Sequence, residues 1–156
     1  MNFLFRVASI LALAISITTV PWLDVIKPVT AFPADCEGGA NGFRDIPDDL
    51  MGQLVGAEWA IHLGADVDIS LRHGTVAGAQ RGWALISGAT IPGDQVRMDW
   101  TQDGGKTWIQ CGPFTVKADN HTYTSAAQST NSSSLWQFRA CGALDGDTVS
   151  SCTPWW

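Results

Sequence analysis

The chain has 156 residues with 15 acidic and 9 basic side chains, a formal charge of −6, and no run of Lys or Arg. That length leaves room for one domain, and that charge argues against nucleic acid or an anionic membrane surface as a partner. Gly, Thr, Val, Ile and Trp are plentiful while Lys and Glu are few, a composition that favours strands over helices.

The first six residues carry one positive charge, at Arg6, and the apolar run Val7 to Val20 (VASILALAISITTV) follows. Its 14 residues suit the core of a signal peptide and fall short of the roughly 20 needed to span a bilayer. Val29-Thr30-Ala31 offers small residues at positions −3 and −1 of a cleavage site. Residues 1–31 therefore read as an export leader cut after Ala31. Ala34 is the second choice, and an uncleaved anchor is the rival reading. Cleavage would remove Arg6, Asp24 and Lys27, leave an extracellular chain one unit more acidic, and leave no membrane span.

Residues 32–49 are polar and rich in turn formers (DCEGGANGFRDIPDD from Asp35), and they read as an irregular lead-in. Residues 50–156 then read as a β-sandwich domain. Ala57, Trp59, Ile61 and Leu63 share one face of an extended segment. A helix over 47–63 is the alternative, which Gly52 and Gly56 oppose. Val67, Ile69 and Leu71 alternate with Asp66, Asp68, Ser70 and Arg72, a period of two that marks a half-buried strand. Arg81 to Ser87 (RGWALIS) is the next strand, followed by a turn at Pro92-Gly93-Asp94.

Val96, Met98 and Trp100 alternate with polar residues, and a loop at Asp103 to Lys106 leads to a partner strand at Thr107 to Cys111. Lys117 to Ser134 is the most loop-like stretch, with at most one short strand near His121 to Thr124. Trp136, Phe138 and Ala140 alternate again, and a Gly-Asp turn precedes a last strand at Thr148 to Cys152. About seven short strands at such spacing predict an all-β, antiparallel sandwich. Trp59, Trp83, Trp100, Trp108 and Trp136 are expected in its core.

All four cysteines, Cys36, Cys111, Cys141 and Cys152, follow the leader. An even number in an exported chain points to two disulfides. Three pairings are open. The short interval from Cys141 to Cys152 suits a hairpin and favours Cys141–Cys152 with Cys36–Cys111.

The segment Thr101-Gln102-Asp103-Gly104-Gly105-Lys106-Thr107-Trp108 resembles the Asp-box (BNR) hairpin, Ser/Thr-x-Asp-x-Gly-x-Thr-Trp. Its defining positions are Thr101, Asp103, Gly105, Thr107 and Trp108. The resemblance implies a hairpin closed by the Asp103 carboxylate, with Gly105 at positive φ and Trp108 beneath the turn. Propellers that carry several such boxes need far more chain, so the likeness implies a structural element and not sialidase activity. A wider stretch, GWALISGATIPGDQVRMDWTQDGGKTWIQCGPF with the later FRACG and CTPWW, resembles small exported actinobacterial proteins of unassigned function. That likeness implies export and disulfides and supplies no catalytic residue. The strand pattern is also similar to immunoglobulin and fibronectin type III sandwiches, a fold analogy alone.

Other candidate groups read as structural. Arg72-His73-Gly74 matches the RHG tripeptide of histidine phosphatases but sits in a strand pattern. Asp45, Asp48 and Asp49, and Asp66 and Asp68, lie in polar stretches unsuited to raising a glycosidase acid's pKa. His62, His73 and His121 show no metal-ligand spacing, so neither metal nor cofactor is expected. Asn120-His121-Thr122 and Asn131-Ser132-Ser133 fit glycosylation sequons in a loop. Trp155 and Trp156 are adjacent and must point opposite ways in an extended chain, so one of them is a candidate exposed platform for a sugar ring or a protein. The sequence thus predicts a secreted, non-catalytic binding domain whose partner is an extracellular glycan or protein. The alternative is an enzyme inhibitor presenting Gly112-Pro113, or a small hydrolase.

Overall fold

A computed structural model describes residues 28–156. The apolar run Val7–Val20 and most of the proposed leader fall outside the described residues. Within them, β1 (Val29–Ala31) is followed by the short helix α1 (Pro33–Glu37), then by β2 (Gln53–Leu54) and β3 (Ala60–Gly64). The long strands β4 (Val67–Val76), β5 (Ala79–Gly88), β6 (Gln95–Thr101) and β7 (Ile109–Thr115) come next. Two-residue strands β8 (Tyr123–Thr124) and β9 (Gln128–Ser129), then β10 (Gln137–Ala143) and β11 (Ser151–Cys152), complete the set.

These strands form two sheets. One has the order β1-β7-β6-β10-β11, and the other runs β2-β4-β5-β8, with β3 also on β4 and β9 also on β5. Pairing is antiparallel except for β1 on β7. The inward residues follow the predicted period of two. Val67, Ile69 and Leu71 from β4 meet Val96, Met98 and Trp100 from β6 and Phe138 and Ala140 from β10, all buried in one core. Burying such side chains stabilises by about 1.5–3 kcal/mol each.

The RGWALIS strand differs because it is buried on both faces. Ala84 and Ile86 enter the core between the sheets, while Trp83 and Leu85 on the other face meet Ile46 and Ala127 in a second cluster. The Trp83 indole N–H donates to the Leu50 carbonyl at 3.0 Å. A strand covered on both sides has no use for alternation, and its sequence shows none.

The lead-in is irregular but packed. Phe43 and Ile46 are buried, and the Arg44 backbone bridges to Ala127. The helix considered over 47–63 does not form: the chain there holds only a single 3-10 turn at Ala57–Trp59 between β2 and β3. Val29–Ala31, assigned by sequence to the leader, pairs with Ile109–Cys111, and Ala31 is 7% exposed.

In the loop-like stretch two short strands form where at most one was expected, and Thr124 to Gln128 is buried. Its polar groups find distant partners: Ser125 Oγ accepts from the Ala84 N–H at 3.0 Å, and Gln128 Nε2 donates to the Asn41 carbonyl at 2.8 Å. Such bonds make burial of polar residues tolerable.

Two disulfides form, Cys36–Cys111 and Cys141–Cys152. They close intervals of 75 and 11 residues, worth about 4–5 and about 3 kcal/mol respectively if chain entropy governs. The first ties the lead-in to β7. The second joins directly opposed residues of β10 and β11. Among the described residues, no helix is long and apolar enough to cross a membrane.

Candidate functional site

The site is assembled by the last five residues. Beyond β11 the tail keeps pairing with β10: the Thr153 N–H donates to the Ala140 carbonyl, and Trp156 and Phe138 exchange N–H···O bonds of 2.8 and 3.0 Å. The extended tail sends Trp155 and Trp156 to opposite sides, as a period of two requires.

Trp155 lies on the outer face of its sheet. The Arg139 guanidinium is held between two indoles, 4.5 Å from the ring centre of Trp155 and 5.2 Å from that of Trp108. Arg139 also reaches the Asp99 carboxylate at 2.7 Å, and Arg97 reaches the same carboxylate at 3.4 Å. Asp99 is completely buried beneath these groups. A carboxylate in that position is tolerable because cations satisfy it. Trp108 therefore sits outside the core, where the sequence pattern had placed it, because a cation on the outer face gives its ring a better partner.

The hairpin from Thr101 to Trp108 supports this stack. Asp103 accepts from the Thr107 backbone N–H at 2.9 Å and from the Thr107 hydroxyl at 2.7 Å. Thr101 Oγ1 stands 2.8 Å from Asp103 and accepts from the Gly105 N–H at 3.0 Å. The Thr107 backbone bond, then the two hydroxyls, hold the Asp103 carboxyl down at about 2. Gly105 has φ of 86°, and a Cβ there would meet the Trp155 indole at 3.3 Å. Glycine at this position thus serves both the turn and the tail packed over it.

Trp156 turns the other way and closes the rim between the sheets. Its ring packs against Phe138 at 6.0 Å and His73 at 5.8 Å, and it remains 36% exposed. Beside it lies an open groove of about 310 Å³. Trp136, Phe138 and Trp156 supply its apolar surface, and Thr130, Asn131, Ser133 and Ser134 supply hydroxyls and an amide, while the Gln137 backbone completes the lining and its side chain follows Arg139 to the other face of β10. Trp136 is fixed by its indole N–H bond to the Ser129 carbonyl at 2.9 Å. Ser133 Oγ accepts from the Leu135 N–H and Asn131 Oδ1 from the Ser133 N–H, which shapes the loop. The Ser134 and Gln137 side chains and the Asn131 amide nitrogen make no hydrogen bond to the described residues, and no side chain lining the groove is charged.

The remaining candidates are dispersed. Gly112 and Pro113 lie within β7 and form no projecting loop. Arg72 donates to Ser70 Oγ at 2.8 Å, while its neighbour His73 backs Trp156. Asp68 pairs with His62 at 2.9 Å on the surface. The Asp48 carboxyl is raised above its ordinary value, by burial first and by Asp45 second. Of the buried carboxylates, Asp99 is held by two arginines, and Asp94 accepts the Ile91 and Asp145 N–H groups at 2.9 Å each. Asp99, Cys141 and Cys152 stand close enough to share a metal ion, but both sulfurs are already joined to each other.

The roles of Asn131 and Ser134 beside Trp156, and of Asp99 and Arg139 beneath Trp155, were not foreseen. One signal was available: Asp99 and Arg139, of opposite charge, each stand at an outward position of a strand. Fold and site together define a disulfide-braced, two-sheet β domain with an aromatic C-terminal edge. No protein-family model, curated protein or solved structure matches the chain.

Proposed function

We propose that the chain is a secreted, non-catalytic domain that binds an extracellular ligand along its C-terminal edge. The observation that carries this reading is the half-open indole of Trp156 beside uncommitted polar groups on Asn131 and Ser134. A large aromatic surface left partly in water, rimmed by free donors and acceptors, is the usual form of a recognition site. Export is supported by the apolar N-terminal run and by cysteines paired as two disulfides, which persist in oxidising surroundings. The buried carboxylates are committed to arginines or backbone, which favours binding over acid–base chemistry.

The test is retention of the purified chain on isolated cell-envelope material. Wild type is expected to be retained, and Trp156→Ala and an Asn131→Ala/Ser134→Ala double variant to wash through. Equal retention of all three would remove the groove from the account.

A further inference from the structure

We infer that the groove takes an uncharged, hydroxyl-rich glycan chain, with Trp156 stacking on a sugar ring and Asn131 and Ser134 bonding to its hydroxyls. This rests on the reading above that the edge is a binding site. Its first support is charge. None of the groove-lining side chains is ionisable, so no side chain there supplies a cation to hold an acidic sugar. The chain's net charge of −6 opposes approach of anionic polymers from solution.

A second support is the arrangement of surfaces. A pyranose presents an apolar C–H face bordered by hydroxyls. The groove presents an indole bordered by a hydroxyl and an amide, the same pattern in complement. Asn131 Nδ2 and Ser134 Oγ are unpaired within the described residues, so a ligand can bond to them without breaking an internal bond. An apolar peptide would leave those groups desolvated and unpaired, a cost of about 1–3 kcal/mol each.

Preorganisation is the third. Phe138 and His73 hold the Trp156 ring, its backbone is bonded to β10, and Trp136 is fixed through Ser129. A platform already ordered loses little entropy on binding. A groove of about 310 Å³ is near the lower end of ligand sites, ~300–1,000 Å³. Because it is open to solvent, it suits a short stretch of a longer chain that continues past both ends.

The test uses the purified protein and two sets of probes. The neutral set is cello-, chito-, manno- and malto-oligosaccharides, and the acidic set is polygalacturonate and hyaluronate. Binding is followed by tryptophan fluorescence and calorimetry. At least one neutral series is expected to bind saturably, with an affinity that barely changes between low and high salt. The acidic set is expected not to bind.

Trp156→Ala should lose about tenfold or more in affinity. Because Trp156 also props the rim, Asn131→Ala and Ser134→Ala provide folded controls, each expected to lose about three- to tenfold, the size of one hydrogen bond. Binding confined to the acidic set, or failure of every neutral series, overturns the inference. If no sugar binds while Trp156→Ala abolishes retention on envelope material, the groove reading survives and the glycan assignment falls. If a neutral sugar binds and all three variants match wild type, both fall.

Discussion

The outer face of the β4–β5 sheet is covered by apolar side chains of the lead-in, whereas the outer face of the β6–β10 sheet is covered by an ion pair beneath two indoles. Ile46 and Ala127 close over Trp83 and Leu85 on the first. Asp99, Arg139, Trp108 and Trp155 close the second. The first arrangement is non-directional and forgiving of shape. The second depends on every member being present, since a buried charge without its partner is costly. The difference also assigns the two neighbouring tail residues separate tasks. Trp155 is consumed in holding the tail, which leaves Trp156 as the more exposed indole.

Three substitutions probe this contrast, and the largest effect belongs to the apolar side. Trp83→Ala empties the second cluster and strands the Leu50 carbonyl, so unfolding free energy measured in denaturant is expected to fall by about 3–5 kcal/mol. Asp99→Ala leaves Arg97 and Arg139 facing each other. A loss of about 2–3 kcal/mol is expected, since these guanidiniums are only partly shielded. A loss under about 0.5 kcal/mol would mean that the network behaves as an ordinary surface pair.

The smallest effect is set by pH. Folding lowers the Asp103 carboxyl from 3.8 to about 2, so its contribution is complete above 3.8 and is lost as pH falls towards about 2. The melting-temperature advantage of wild type over Asp103→Asn is therefore expected to be constant near neutrality and to vanish across that acid interval. An advantage that stays level down to the lowest pH would contradict the hydrogen bonds assigned to this carboxylate.

Much of the fold was legible because it is written in local periods. Val67-Ile69-Leu71, Val96-Met98-Trp100 and Phe138-Ala140 give β4, β6 and β10 by alternation alone, and the short interval between Cys141 and Cys152 favours their pairing. What escaped depends on non-local partners. A three-residue strand such as β1 has no period to read, and it exists because β7 offers it an edge some 80 positions later. Ser125 and Gln128 look like loop residues until their bonds to Ala84 and Asn41 are known. Of the candidate site, the opposite facing of Trp155 and Trp156 could be read from adjacency. Which of them stayed open could not, because Arg139 on β10 and Gly105 in the β6–β7 loop decide it from elsewhere in the chain.

β1 has a consequence for how the molecule is made. A peptidase that trimmed the chain after Ala31 would strip the cover from Ile109 to Cys111, exposing a row of backbone donors and acceptors to any passing strand. Trimming upstream of Val29 would instead deliver a product whose flank is already sealed. The position of such a cut would thus set whether the product is prone to self-association.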